Sequence, residues 1–286
     1  MSVSTLAAPR RRTDTSAAAV LGVAVIALYV PVLRELFALW LHGTYYSYGF
    51  LVPIFSAYLV WDALRKDARG DGAARLSELD PGGIAIIAAG LAGLGLGVAA
   101  GSLALRTLSL PVVLMGVAVA TLGPGLARRL VFAIGFLVFM TPLPDGMLPA
   151  VSLPMQRFAA FVAEHALRAL GISVARDDLF LTLPSVTLHV TEACNGLRFL
   201  LAMLVIGAAF AGTTQRRPLR RAAIIGIAVT IAIVANLARV TGTGIMAELW
   251  GARAVIGLPH VVWGKVVYLA ALVPFVGLVL ILRRRA

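Results

Sequence analysis

Apolar residues in this chain come in long uninterrupted blocks, parted by short polar or basic stretches, and do not alternate with polar ones over most of its length. The blocks run from about Ala17 to Trp40, Phe50 to Ala63, Gly82 to Ala99, Thr107 to Leu122, Leu130 to Thr141, Phe199 to Ala211, Ala222 to Leu237 and Val266 to Leu282. Several approach or exceed the roughly 18–20 residues that a helix needs to cross hydrocarbon. The pattern predicts an all-α polytopic membrane protein with about eight transmembrane helices. The second and fifth blocks are short, which suits a tilted or re-entrant segment. The prolines of Thr141-Pro142-Leu143-Pro144 end the fifth.

One stretch breaks the pattern, residues 142–195. Its first half, Leu148 to Leu170, mixes Met155, Phe158, Phe161, Val162 and Leu167 with Gln156, Arg157, Glu164, His165 and Arg168. This composition predicts an extracytoplasmic amphipathic helix at the membrane interface. Its second half reads Leu179 to Leu183 and Val186 to Val190, alternating and parted by Pro184-Ser185, which predicts a short β-hairpin-like segment. Strand with open edges is excluded from hydrocarbon, so it must lie above the membrane or against protein.

Composition agrees. The chain has 286 residues, 60% hydrophobic and 13% charged, with a mean hydropathy of +0.94. A soluble domain carries about 25% charged residues. The net charge of +12 would suit nucleic acid, but its distribution argues against that partner. The basic groups Arg10 to Arg12, Arg65-Lys66 with Arg69 and Arg75, Arg128-Arg129, Arg216-Arg217 with Arg220-Arg221, and Arg283 to Arg285 each flank an apolar block. Positive-inside orientation puts such groups in the cytoplasm, together with both termini. Segments so assigned hold sixteen Lys/Arg against six acidic residues, while the rest holds nine against seven. Residues 1–15 read as a cytoplasmic basic tail and 16–286 as a single membrane domain. The first block has no persuasive cleavage site and reads as a retained helix. Cys194 is the only cysteine, so an internal disulfide, a CxxC pair and a thiolate metal cluster are all excluded. The four histidines are scattered without ligand spacing, and neither a metal nor another cofactor is expected.

Ionisable groups at the ends of membrane spans are functional candidates. The first group is Glu192-Ala193-Cys194-Asn195-Gly196-Leu197-Arg198, where the chain enters its sixth block. Cys194 at a helix N-terminus gains thiolate character, and Arg198 one turn on can share its face. The plain alternative is a small inert hydrophobe among interfacial polar residues. The second is Asn236 with Arg239, three apart at the end of the seventh block. Arg239 reads either as functional or as a snorkelling side chain. The third is His260, within His260-Val261-Val262-Trp263-Gly264, a general acid or base or an interfacial histidine. The topology sets all three groups at one membrane face, where Cys194, Arg239 and His260 form an acyl-transfer set. His42, Tyr45, Tyr46, Ser47, Tyr48, Gly49 and Phe50 read as an aromatic interfacial rim, and His165 and His189 as residues of the outer segment. Gly93, Gly97 and Gly101 recur four apart, a sign of close helix packing.

These blocks resemble the exosortase/archaeosortase family of multi-span cysteine transpeptidases. The resemblance covers most of the chain. Tyr46-Ser47-Tyr48-Gly49-Phe50-Leu51-Val52-Pro53 matches the family's entry block, with Tyr48 at the usual histidine. Glu192-Ala193-Cys194-Asn195-Gly196-Leu197-Arg198 matches the cysteine block, with Asn195 at the usual serine. Ala235-Asn236-Leu237-Ala238-Arg239-Val240 and His260 to Gly264 match the other two. The resemblance implies that Cys194 is the nucleophile, Arg239 the transition-state arginine and His260 the proton-transfer residue. Glu192, Asn195, Gly196, Arg198 and Asn236 are then supporting residues.

It further implies a thiol protease or transpeptidase in the bacterial inner membrane, active on its periplasmic side. Its substrates are secreted proteins with a C-terminal sorting signal: a Pro-Glu-Pro (PEP-CTERM-like) motif, a transmembrane helix and a basic end. The cut end passes to a surface glycan or lipid acceptor, in association with exopolysaccharide export and biofilm. Membrane lipid is the other partner. Two other readings stand beside it, the first using the same outer-face residues. One is a non-proteolytic component of exopolysaccharide export that binds a lipid-linked sugar. The other is a small-solute transporter, which expects midplane polar groups and an internal repeat.

Overall fold

A computed structural model describes residues 15–68, 80–144 and 146–284. The basic tail up to residue 14 and residues 69–79 of the loop after the second block lie outside the described residues. The chain is an all-α polytopic membrane protein that carries one small antiparallel sheet. Among the described residues, seven helices are long and apolar enough to span a membrane. The eighth expected span is accounted for by one interruption. The fourth and fifth blocks form a single helical run, Leu103–Met140, broken at Gly123, whose φ of 77° and ψ of 163° are not helical. Pro124 follows, and Ala118 before the break shares a buried cluster with Ala127, Leu130 and Ile134 after it. Gly123 is the residue type that takes a positive φ without strain, so the break falls there.

The chain divides into two compact units. The first, up to Leu39 and over Gly49–Pro142, contains most of α1 (Thr15–His42), then α2 (Leu51–Ala68), α3 (Pro81–Ala99) and α4 (Leu103–Gly135). Asp80 caps α3, its Oδ1 accepting from the amides of Gly82 at 2.7 Å and Gly83 at 3.3 Å, with Pro81 opening the helix. Helices α3 and α4 approach through glycines seven apart. A Cβ on Gly90 would lie 2.5 Å from Val113 Cγ2, and one on Gly97 2.7 Å from the Arg106 amide nitrogen. Gly83 meets the Ala120 backbone in the same way. The close approach therefore uses Gly83, Gly90 and Gly97; of the expected Gly93, Gly97 and Gly101, only Gly97 takes part in it. Gly93 is in looser contact, and Gly101 is a turn residue at φ 63°. The Arg106 guanidinium reaches α1 as a two-pronged pair with Glu35, both bonds at 2.8 Å.

The second unit comprises Trp40–Tyr48 and the chain from Leu143. It holds α5 (Met147–Ala169), strands β1 (Ala175–Asp177), β2 (Phe180–Thr182) and β3 (Thr187–His189), then α6 (Leu197–Thr214), α7 (Pro218–Trp250) and α8 (Gly257–Arg284). Helix α5 is the predicted amphipathic helix. Ala159, Ala160, Ala163 and Leu167 recur at helical spacing and pack against Val174, Leu181, Leu183 and Val190 of the sheet segment. Its polarity holds two departures from a simple interfacial helix. Gln156 and Glu164 are buried, while Phe158 and Phe161 are exposed. Glu164 is tolerated inside because it pairs with Arg168 at 2.8 Å and Arg176 at 2.7 Å. Arg176 lies on β1, a strand not expected from the sequence, which makes the hairpin a three-stranded sheet in the order β1-β2-β3.

Helix α7 continues to Trp250, thirteen residues past the expected end at Leu237. At about 1.5 Å per residue its 33 residues run to about 50 Å, well beyond the roughly 30 Å of hydrocarbon. The excess packs on α5, where Leu167 fills the space beside Gly244. It also anchors the β2–β3 turn, whose Ser185 hydroxyl donates to Glu248 Oε2 at 2.8 Å.

Candidate active site

Everything that follows lies in the second unit. Cys194 ends a 3-10 turn, Glu192–Cys194, five residues after β3. Gly196 then takes a φ of 79° and starts α6. No side chain fits at Gly196 in this arrangement, because a Cβ would stand 2.5 Å from Asn236 Cγ. The amide of Asn236 donates from Nδ2 to the Cys194 carbonyl at 3.1 Å. Helix α7 thus holds the backbone of the cysteine segment through Asn236.

Arg239 lies one turn further on the same face of α7. Its Nη2 is 3.1 Å from His260 Nε2 in the first turn of α8. A guanidinium has no acceptor, so Nε2 accepts and the neutral ring carries its proton on Nδ1. Nδ1 is buried and has no hydrogen-bond partner among the described residues. The block His260 to Gly264 owes its spacing to Arg239. Residues 260, 263 and 264 share one helical face, and each meets this arginine. Trp263 Nε1 donates to the Arg239 carbonyl at 3.0 Å. A Cβ on Gly264 would come within 3.1 Å of Arg239 Nε. The guanidinium also stacks over Phe199 at 5.4 Å from the ring centre and is only 9% exposed. A buried, three-sided cradle does not suit a snorkelling side chain.

Asn195 is 1% exposed and fully engaged. Its Oδ1 accepts the Leu197 amide at 2.8 Å, and its Nδ2 donates to Ser152 Oγ at 2.6 Å and Tyr45 Oη at 3.2 Å. Tyr45 in turn donates to Glu192 Oε2 at 3.3 Å. Burial first, and then the Glu192 carboxylate, push the Tyr45 phenol above its ordinary range, so it stays a donor. This chain ties the cysteine segment to α5 through Ser152. No pattern in the sequence marks Ser152, and Tyr45 reads there only as part of the aromatic rim.

Two cavities flank this framework, and His260 lines both. The first, about 410 Å³, is lined by Cys194, His260, Val240 and residues 186–191. The second, about 630 Å³, is lined by Glu192, Arg198, Arg239, Lys265, Tyr48 and Tyr268 among others. Cys194 and His260 share the first cavity, and Arg239, which lines the second, meets His260. Arg198 does not share a cavity with Cys194, and its Nη2 donates instead to Ser47 Oγ at 3.1 Å. Glu192 meets Tyr45 rather than Arg198 or the histidine. His165 bonds its own helix at Phe161 O, away from this site. Among the described residues no three His, Cys, Asp or Glu side chains gather as a metal would require.

The transmembrane exosortase family model matches residues 40–277, which include every element of this site. The chain belongs to the transmembrane exosortase family. No curated protein and no solved structure matches it. The match starts at Trp40, so the exosortase region takes in the Tyr45–Tyr48 segment while leaving out most of α1.

Proposed function

We propose that this exosortase is a cysteine-type endopeptidase and transpeptidase of the bacterial inner membrane. It cuts the C-terminal sorting signal of secreted proteins at the periplasmic face and passes the new end to a surface acceptor. The observation that carries the reading is the convergence of the one thiol and a histidine on one cavity, with a buried arginine hydrogen-bonded to that histidine.

Each group has a step. The Cys194 sulfur, as thiolate, attacks the scissile carbonyl, and the carbonyl oxygen takes the negative charge. Arg239, held by Phe199, Trp263 and Gly264, supplies fixed positive charge beside it. His260 takes the Cys194 thiol proton at Nε2, in place of the hydrogen bond from Arg239, and the imidazolium so formed gives a proton to the departing amine and returns to the neutral ring. The C–N bond breaks, the amine leaves protonated, and a thioester to Cys194 is left. An acceptor amine or hydroxyl, or water, attacks the thioester and restores the thiol. Asn236 and Asn195 hold the cysteine segment in register with α7 and α5 and do not touch the reacting atoms.

The thioester tests the proposal. Membranes carrying the protein and a tail-bearing substrate are quenched in acid, and the cysteine peptide is analysed by mass. A substrate-derived acyl mass on Cys194, released by hydroxylamine and diminished in His260→Ala and Arg239→Ala, is the expected species. Its absence under conditions in which the tail is being cut would refute covalent catalysis.

A further inference from the structure

We propose that the substrate segment around the scissile bond binds as a fourth strand, added to the free edge of β3. The proposal rests on the peptidase reading and names how that site holds its substrate.

The register of the sheet determines which backbone groups are free. The Val190 amide donates to the Leu179 carbonyl at 2.9 Å, and the Leu183 amide to the Val186 carbonyl at 3.0 Å. Between them Leu181 faces Leu188. In an antiparallel ladder bonded and non-bonded pairs alternate. Val186, Leu188 and Val190 therefore turn their amides and carbonyls toward β2, and Thr187 and His189 turn theirs away. Strand β3 pairs only with β2, so that outward side is a sheet edge. Among the described residues no backbone bond reaches Thr187 or His189 from that side.

The edge faces the cavity of Cys194. All six consecutive residues 186–191 line it. Side chains of a strand point alternately to opposite faces, so a cavity that meets six in a row lies along the edge. Val240, Thr243, Val255, Ile256, His260 and Cys194 line the same cavity, as does Leu181 of β2. An extended peptide laid here satisfies the outward groups of Thr187 and His189 and runs past the sulfur. Unpaired edge groups are costly beside a membrane, and strand addition gives affinity through main-chain bonds and selectivity through alternate side chains. The occupant that fits is an extended peptide with apolar residues at alternate positions facing Val240, Val255 and Ile256.

The test uses the full chain in membranes. The Cys194→Ala protein receives one new thiol by Thr187→Cys, and a co-expressed tail protein carries a single cysteine at each successive position before its transmembrane helix. Under mild oxidation, cross-linking at every second tail position is expected, with none from Ala175→Cys on the opposite edge of the sheet. Cross-linking without this alternation, equal cross-linking from Ala175→Cys, or no cross-linking overturns the proposal. In the protein with Cys194 intact, Thr187→Pro and His189→Pro each remove one outward amide and lower kcat/KM about tenfold at unchanged protein level. Cutting that survives Cys194→Ala would sink the peptidase reading and this proposal with it. Cutting that needs Cys194 but shows no alternation sinks strand addition alone.

Discussion

Gly196 and Asn236 offer a direct test of how the cysteine segment is held. Gly196→Ala introduces two costs. An L-residue at a φ of 79° costs about 1–2 kcal/mol. Its Cβ, 2.5 Å from Asn236 Cγ, adds an overpacking cost of about 1–3 kcal/mol. The single variant is therefore destabilised by about 2–5 kcal/mol. Asn236→Ala removes the bond to the Cys194 carbonyl at 3.1 Å and leaves that carbonyl unpaired, a loss of about 1–3 kcal/mol. In the double variant the clash with Cγ and Nδ2 is gone, although the Asn236 Cβ still lies 2.8 Å from the added methyl. The double variant should cost less than the sum of the singles by about 1–2 kcal/mol. Equilibrium unfolding in denaturing detergent measures all four proteins. Because Cys194 is the sole thiol, its alkylation rate reports on the same segment without ambiguity. A faster rate is expected whenever the Asn236 bond is lost. Costs that add within about 0.5 kcal/mol would show that the two residues do not clamp the segment together.

Other outcomes follow from the same geometry. Asn195→Ala loses three buried bonds and costs about 2–3 kcal/mol in unfolding experiments, while Asn195→Ser can still accept the Leu197 amide and costs less. Arg239→Lys should impair substrate cutting nearly as much as Arg239→Ala, because one ammonium cannot keep the planar contacts with Phe199 and His260, and Gly264→Ala should lower kcat by moving the guanidinium. Glu164 is held below its ordinary value of 4.5, first by the Arg176 hydrogen bond and then by the charges of Arg168 and Arg176. A depressed folded value gives stability that is present above about pH 4.5 and is lost as pH falls through the lowered value. A melting curve taken from pH 6 downward should show this loss, and Glu164→Gln should flatten it.

Much of the fold and of the site is legible in the sequence, and the exceptions share causes. Blocks of apolar residues mark spans because a bilayer imposes a length. The three polar blocks flag the candidate site because charge at a span end is costly without a use. The continuation of α7 was not legible, since Thr241, Gly242, Thr243 and Gly244 are weak helix formers. The structure shows why they are helical: Trp263 lies over Gly242 and Leu167 over Gly244, so tertiary packing overrides propensity. Strand β1, Ala175-Arg176-Asp177, is exposed throughout and has no apolar alternation. It is held by pairing and by Arg176 reaching Glu164. Asn236 and Gly196 lie 40 positions apart, and their contact depends on a helix packing that no local pattern encodes. The buried Ser152 on α5 is silent in sequence for the same reason.

The central claim is that Cys194 cuts a membrane-anchored tail. The measurement that bears on it most directly is the mass of a secreted, tail-bearing protein's C-terminus after co-expression with this exosortase, compared with Cys194→Ala at equal abundance. The account predicts a shortened C-terminus, free or carrying an acceptor mass, that is lost in the variant. Equal shortening with both proteins, or intact tails with both across several tail sequences, would contradict it.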